Sequence, residues 1–527
     1  MSLADSPFID RLNTNYVPSD SEICEIRTLL VDPVDELAKL DAQIEEMEIT
    51  LSLLKEKRAS LQAPIDAHRA LISPMRHVPL DVLQEIFFSC LPTEHNALID
   101  PAEAPLLLGQ ICSHWRSVAY STPRIWSSLH IPSFDSRSHS VPSAIFVILG
   151  RIVERWLKRS GNCSLSISLS SGINSSLDFW SEDHPILSPL LQVRQRLRHL
   201  ELSADTQSLR QLLRLGPKDL PILKTIRIQA SGDPLFDGNL EATNALQLPT
   251  LEDISLSFSA TSDPLSLPLN WSQLTGLSLV CYPLWTGQSW EGGFDAGGVL
   301  DVLRSCPNLV RCEFGSSKSL DPGSTINRSL ITLSHLQFLL LGSHSIPPEY
   351  MSCLILPKLS YLKYGDVTFG APGNDHVFDS SLTADIDPTG LTSSQCFELL
   401  RRFPSISVLR LSSPAYHHDS MSLDDAFLAL FYTPNGLCPM LTDFTVMVPC
   451  ARFSDTAALA FVKARMAMTP ALQQFRFHFN RPVEVDIMPE LRPFILGGLK
   501  AALHYPLSEW KFDARAGLSD ATTFITE

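Results

Sequence analysis

The chain holds 527 residues, 44% hydrophobic and 19% charged, with a formal net charge of −16. That length exceeds a single core and calls for at least two domains, and the composition is globular. The acidic balance speaks against nucleic acid as the main partner, since phosphate contacts need a basic surface, and against docking on anionic membranes.

Eleven cysteines are scattered without a CxxC pair. A disulfide framework or a zinc site would need closer, paired spacing, so free thiols in a reducing compartment are expected. Met1 to Asp10 lacks a basic stretch followed by an apolar core, and the apolar run Ala144 to Leu149 is far short of the ~20 residues that span a bilayer. The expected location is the cytoplasm or nucleus.

Residues 1–32 are mixed and polar and are expected to form a tail. Asp32-Pro33 then reads as a helix start, since proline suits the first helical position. From Leu37 the apolar residues alternate steps of three and four: Leu37, Leu40, Ile44, Met47, Leu51 and Leu54, then Leu61 and Ile65, with Arg58 as the one break. That is a coiled-coil seam over residues 33–72, which Pro64 is expected to kink or stop. Pairing with another chain and folding back on its own protein both remain open.

Val78-Pro79-Leu80-Asp81 opens a second helix, with proline at its first turn and an acid near its positive end. Val82, Leu83, Ile86, Phe87, Cys90 and Leu91 fall on one face of it, and Pro92 stops it. After a loop containing Pro101 and Pro105, another helix carries Leu108, Ile111, Cys112, Trp115 and Ala119, and Ser121-Thr122-Pro123 closes it. Two short amphipathic helices cannot bury all of this apolar surface on each other, and what is left over marks a partner. Without further context the pair also fits an ordinary helical hairpin with a buried Trp115.

The order Val78-Pro79-Leu80, an Ile/Leu-rich helix, then Ile111-Cys112-Ser113-His114-Trp115 resembles the F-box. Ser73-Pro74-Met75-Arg76 ahead of it and Pro123-Arg124-Ile125-Trp126 behind it make residues 34–130 look like a fungal-type F-box protein. The connection from Leu91 to Leu106 is longer and richer in proline than the family pattern. The resemblance implies docking on the Skp-type adaptor subunit of a cullin–RING ubiquitin ligase. The positions it carries over are Pro79, Leu80, Leu83, Ile86, Phe87, Ile111, Cys112 and Trp115.

Beyond Trp126 an apolar-x-x-apolar-x-apolar pattern recurs. Its copies begin at Leu197, Leu223, Leu251, Leu274, Leu309, Leu336, Leu359, Ile406, Leu441 and Leu472, with Trp126 a candidate earlier one. In seven copies proline stands two residues before the first apolar position, as at Pro221, Pro249 and Pro357. The mean period is about 31 residues, just above the leucine-rich range, and each unit reads as a short strand with a returning helix that hides its apolar stripe by stacking on a neighbour. Ser208–Leu215 and Ala296–Leu303 are candidate returns, the second weakened by Gly297 and Gly298. Gly365–Asp387 reads as a long insertion. A mixed α/β domain with coincidental leucine spacing is the competing reading.

In such an array the residues flanking the apolar pair line the concave face: Glu201, Arg227, Glu313, Arg410 and Arg476, together with Phe338, Leu340, Tyr361 and Lys363. The last four are the candidate target-binding positions, because aromatic and apolar neighbours suit a hot spot; coverage by an insertion or a terminal segment is the competing and commoner arrangement. No phosphate-cradling loop, HExxH or Gly-x-Ser-x-Gly appears. His417-His418-Asp419 is the one compact polar trio, and Cys312 fills a core position in the repeat.

The sequence therefore predicts an α/β chain. An irregular leucine-rich-repeat solenoid over 127–513 follows an all-α F-box helical domain over 74–126 and a long amphipathic, coiled-coil-like helix over 33–72, with polar tails at 1–32 and 514–527. The expected role is a non-enzymatic substrate adaptor of a Skp–cullin–F-box ligase that holds an unidentified target protein and needs no cofactor or metal. A protein-interaction scaffold outside any ligase is the alternative.

Overall fold

The computed structural model describes residues 6–132, 143–170, 186–205, 209, 213–231, 244–259, 264–282, 284–285, 290–291, 293, 295–315, 326–342, 346–365, 381–389, 391–413, 423–433, 436–448 and 452–506. The chain is mixed α/β and divides into two units, Met1–Glu85 and Ile86–Glu527.

The first unit is dominated by one helix, α1, Asp20–Leu71. Its 52 residues correspond to a rod of about 78 Å. It begins well before the expected start at Asp32-Pro33, so residues 20–32 belong to the helix and not to a tail. The start signal is Ser19 with Glu22: the Ser19 amide and hydroxyl both donate to Glu22 Oε2 at 2.8 Å, in the manner of a capping box. Ile23, Ile26, Leu29 and Leu30 then continue the apolar run upstream of Pro33. Pro33 and Pro64 both sit inside the helix, which passes Pro64 by two further turns. A proline removes one backbone bond, and the remaining ladder outlasts that loss.

A second helix, α2, Leu80–Ser89, runs from the end of the first unit into the second. The segment expected to be the next helix is two helices, α3 (Leu108–Ile111) and α4 (Ser113–Ser121). They are separated by Cys112, which is extended at φ −159° and accepts the Trp115 amide on its sulfur at 3.4 Å. Cys112 is therefore a helix cap and not a member of a continuous stripe.

The second unit is built on a single parallel sheet whose strands follow one another in chain order. They are β1 (Ser128–Ile131), β2 (Leu165–Ser170), β3 (Leu197–Asp205), β4 (Thr225–Ser231), β5 (Asp253–Ser259), β6 (Gly276–Tyr282) and β7 (Arg311–Gly315). There follow β8 (Phe338–Leu341), β9 (Tyr361–Tyr364), β10 (Leu382–Ile386), β11 (Ile406–Ser412), β12 (Asp443–Met447), β13 (Gln474–His478) and β14 (Lys500–His504).

The ladder places the recurrent apolar positions in register. Leu200, Ile226, Ile254, Leu277, Cys312, Leu339 and Leu362 oppose one another in turn, and Leu409, Phe444 and Phe475 continue the column past Ala384. All are buried. Strand residues alternate faces, so one side of every strand is committed to this core.

The proline mark has a conformational cause. In Leu220-Pro221-Ile222-Leu223 the Leu223 amide bonds the Leu220 carbonyl, and the same closure occurs at Leu251, Leu359, Ile406 and Leu441. Proline thus occupies the second position of a β-turn, where its fixed φ is pre-set for the geometry.

Three strands of this sheet were not anticipated: β2, β10 and β14. β10 lies inside the stretch read as an insertion, of which residues 366–380 are outside the described residues. Of the two candidate return helices, the second forms as α7, Ala296–Ser305; α5 (Ser143–Arg159) and α6 (Leu187–Gln192) precede it. The Asp295 carboxylate caps the Gly298 amide at 2.8 Å, so the two glycines fall in the first turn, where the cap supplies the missing partner. Half of Ser208–Leu215 lies outside the described residues, as does the whole of the expected tail at 514–527. Helices α8 (Ser393–Arg402), α9 (Asp425–Ala429), α10 (Asp455–Met466) and α11 (Met488–Leu496) follow. Beside α9 and α10 the core turns aromatic, with Phe431, Phe444, Phe461 and Phe477 at centroid separations of 5.1 to 6.3 Å.

Candidate functional site

The face of the sheet opposite the apolar columns carries the polar side chains. Glu201, Arg227, Ser255, Ser278 and Glu313 stand side by side across β3 to β7, and Asp253, Gly276 and Arg311 form the column beside them. All of these except Gly276 line a hollow of about 430 Å³, together with Ser203, Gln229 and Ser257. The serines are short, so the floor is low and the longer charged side chains stand around it.

Gly276 permits a close approach. A Cβ there would lie 2.0 Å from Asp253 Oδ2, so the Asp253 carboxylate leans across the glycine into the hollow. Glu313 is oriented by Ser278, whose hydroxyl donates to Oε2 at 3.0 Å. The lining alternates in sign: Glu201, Asp253 and Glu313 against Arg227 and Arg311.

A second hollow of about 410 Å³ continues the first through Glu201, Arg227 and Asp253 towards His95, Asn96 and His199. Asn96 Oδ1 accepts from Ser128 Oγ at 2.9 Å and Ser166 Oγ at 2.7 Å, which pins the loop after α2 to the first two strands. Burial lowers the pKa of His199, with Arg198 and Arg227 acting in the same direction, so the imidazole is neutral at pH 7. Glu201, Arg227 and Glu313 are among the positions expected on this face from the sequence. Asp253 and Arg311 were missed although the same alternation of faces reaches them, and Asn96 comes from a loop that carries no such signal.

The four candidate target-binding positions lie farther along the same face. Phe338 and Tyr361 are paired in the ladder, as are Leu340 and Lys363. They do not form an exposed hot spot, because Tyr361 is 1% and Leu340 is 3% exposed. The Tyr361 ring lies 6.3 Å from that of Phe338, and its hydroxyl donates to Asp385 Oδ2 at 2.7 Å. A phenol that satisfies a buried carboxylate is held inward, which removes it from the surface. Asp385 is fully buried and stands in register between Lys363 and Arg410. Burial raises its pKa against the opposing pull of the Tyr361 hydrogen bond and the two cations.

Along α2, Leu83 and Phe87 are fully buried, Ile86 is half-buried, and Leu80 is 55% exposed, with Pro79 exposed ahead of it. Leu83 is thus core and not a contact surface. In the second unit Phe87 packs against Trp115 with centroids 4.9 Å apart, leaving Trp115 half-buried, while Ile111 is 55% exposed and Cys112 is exposed. Trp126 Nε1 donates to the Ala119 carbonyl at 2.8 Å, anchoring α4 to the start of the sheet. Arg124 covers the Phe88 ring at 3.6 Å.

No family model matches the chain, and no match to it is found among curated proteins.

Cys312 and Cys306 are buried, and burial pushes both thiols up, Cys306 to about 12, which suits core packing and not nucleophilic chemistry. His417-His418-Asp419 lies outside the described residues. Among the described residues, no group of three or more His, Cys, Asp or Glu could hold a metal, and no helix is long and apolar enough to cross a membrane.

Proposed function

We infer that the chain is a substrate-recruiting adaptor of a Skp–cullin–F-box type ubiquitin ligase, acting by proximity and without catalytic chemistry of its own. Residues 74–126 serve as the F-box that docks the Skp-type subunit. The in-register parallel strands are read as an irregular leucine-rich solenoid whose polar face holds the target protein.

The observation that carries this reading is the exposure of Leu80 and Ile111 on helices that also bury Leu83 and Phe87, and Leu108, respectively; Val82 and Phe88 of α2 are exposed as well. Apolar side chains left uncovered at positions carried over from the F-box are what a docking subunit would cover. The zwitterionic hollow on β3 to β7 supports the second half. Its mixed charges and serine hydroxyls suit a polar, extended segment of a target bearing both an acid and a base. Bringing the target's lysines close to a charged ubiquitin carrier raises their effective concentration, which is the whole of the mechanism. Such an adaptor works in the cytoplasm or nucleus.

Co-expression of the full chain with a Skp-type subunit tests the reading. Stable co-purification that is lost in Leu80→Asp/Ile111→Asp supports it. Absence of the complex for the unaltered chain, or its persistence in the double variant, overturns it and leaves the scaffold reading.

A further inference from the structure

The seam of α1 is uncovered. Leu37, Leu40, Ile44, Met47, Leu51 and Leu54 are each half or more exposed, and Leu61 and Ile65 extend the row. In the heptad frame Leu37, Ile44, Leu51, Arg58 and Ile65 occupy one core position, and Leu40, Met47, Leu54 and Leu61 the other. A helix of this length draws most of its stability from packing its apolar stripe, so the stripe needs an occupant.

We propose that α1 pairs with α1 of a second copy of this chain, the two running in opposite directions, to form a homodimeric coiled coil. The charge distribution selects both partner and direction. Between Asp35 and Glu48 stand six acids against one lysine, and between Lys55 and Arg69 four cations against two acids. A parallel pair stacks acid half on acid half and brings Glu36 beside the partner's Asp41. An antiparallel pair lays the acidic half of each helix on the basic half of the other. Like charges repel and unlike charges attract across the flanking positions of a coiled coil, which sets orientation.

The register follows. Centring the pair between Ser52 and Leu53 sets Leu51 against the partner's Leu54, Ile44 against the partner's Leu61 and Leu40 against the partner's Ile65. Glu48 then flanks the partner's Lys55, twice by symmetry. The break in the seam also acquires a role. Arg58 opposes the partner's Met47, so its aliphatic stem covers the thioether while its guanidinium reaches the partner's Glu48. A single polar residue in a seam fixes register in this way, because any slip would bury it against leucine. The dimer is independent of the adaptor reading.

Sedimentation equilibrium of the full chain over a dilution series tests the pairing. A mass of twice 58.4 kDa is expected; 58.4 kDa throughout the series overturns it. Direction is read by cysteine linkage mapped by mass spectrometry. Leu40→Cys/Ile65→Cys should link position 40 to position 65 between chains. Leu40→Cys alone should give no 40–40 link, and such a link would establish a parallel pair and overturn the proposal. An exposed charge swap avoids any seam defect. Glu48→Lys should weaken the dimer about tenfold or more, and adding Lys55→Glu should restore it. Failure of the second change to restore pairing overturns the register.

Discussion

Arg481 grips the Asp455 carboxylate with both terminal nitrogens, Nη1 to Oδ2 at 3.1 Å and Nη2 to Oδ1 at 3.0 Å. The same carboxylate accepts the Glu484 and Val485 amides at 2.9 Å and the Tyr505 hydroxyl at 2.8 Å. One side chain at the start of α10 therefore holds the loop after β13 and the residue just beyond β14. Asp455 is 1% exposed, so the cluster acts as a buried clamp on the last strands.

Asp455→Ala should destabilise the chain by about 3–5 kcal/mol, since Arg481 and two amides lose their acceptor in a buried site. Burial works to raise the Asp455 pKa, but the bonds from Arg481, Val485, Tyr505 and Glu484 outweigh it and hold the carboxyl at about 2. A depressed acid contributes stability above its unfolded value near 3.8, and that contribution is lost as pH falls through about 2. Denaturant midpoints taken between pH 5 and pH 2 should fall in the unaltered chain and much less in Asp455→Ala.

Asp385 should behave in the opposite sense. Its pKa is raised by burial, so the charged form costs stability at neutral pH, and the cost is relieved as pH drops through the folded value. Asp385→Asn keeps an acceptor for the Tyr361 hydroxyl and removes the charge. Its unfolding midpoint at pH 7 should equal or exceed that of the unaltered chain, with the gap closing towards pH 4. A loss above about 1 kcal/mol at pH 7 would show that the cations Lys363 and Arg410 need the carboxylate more than burial penalises it.

Leu83 and Leu80 lie three residues apart on α2 and should separate folding from docking. Leu83→Ala empties a fully buried site and should cost about 2–5 kcal/mol. Leu80→Asp, at an exposed site, should leave the melting temperature within a few degrees while removing Skp-type subunit binding. Equal thermal losses in both variants would place Leu80 in the core instead.

Gly276→Ala should act on the polar face and hardly on stability. The new methyl meets the far end of Asp253, a flexible group that can swing aside, so the unfolding free energy should change by less than about 1 kcal/mol. The carboxylate would leave the hollow, and target capture measured by pull-down should fall. Unchanged capture would remove Asp253 from the binding face.

The strands were legible where the core column is leucine, isoleucine or phenylalanine. β10 and β14 escaped because Ala384 and Ala501 stand in that column, and an alanine carries no pattern even when Leu362 and Leu409 fill the space on either side of Ala384. β2 offered the alternation Leu165, Ile167, Leu169 but no leading apolar residue, and period two was its only signal. The helix start at Ser19 is legible as Ser-x-x-Glu, but Asp32-Pro33 carries a competing start signal, since proline also suits a first helical turn.

The seam of α1, the turn prolines and the in-register apolar columns were determined by the sequence alone, since each depends on spacing along one chain. Which of those side chains face water was decided only by the tertiary structure. Leu83 and Leu80 share a helix, and Tyr361 and Arg227 share a sheet face, yet one of each pair is buried and the other lines a surface. The physical reason is that periodicity specifies a direction from the backbone, whereas burial depends on what distant segments bring to that side, as Asp385 brings an acceptor to Tyr361.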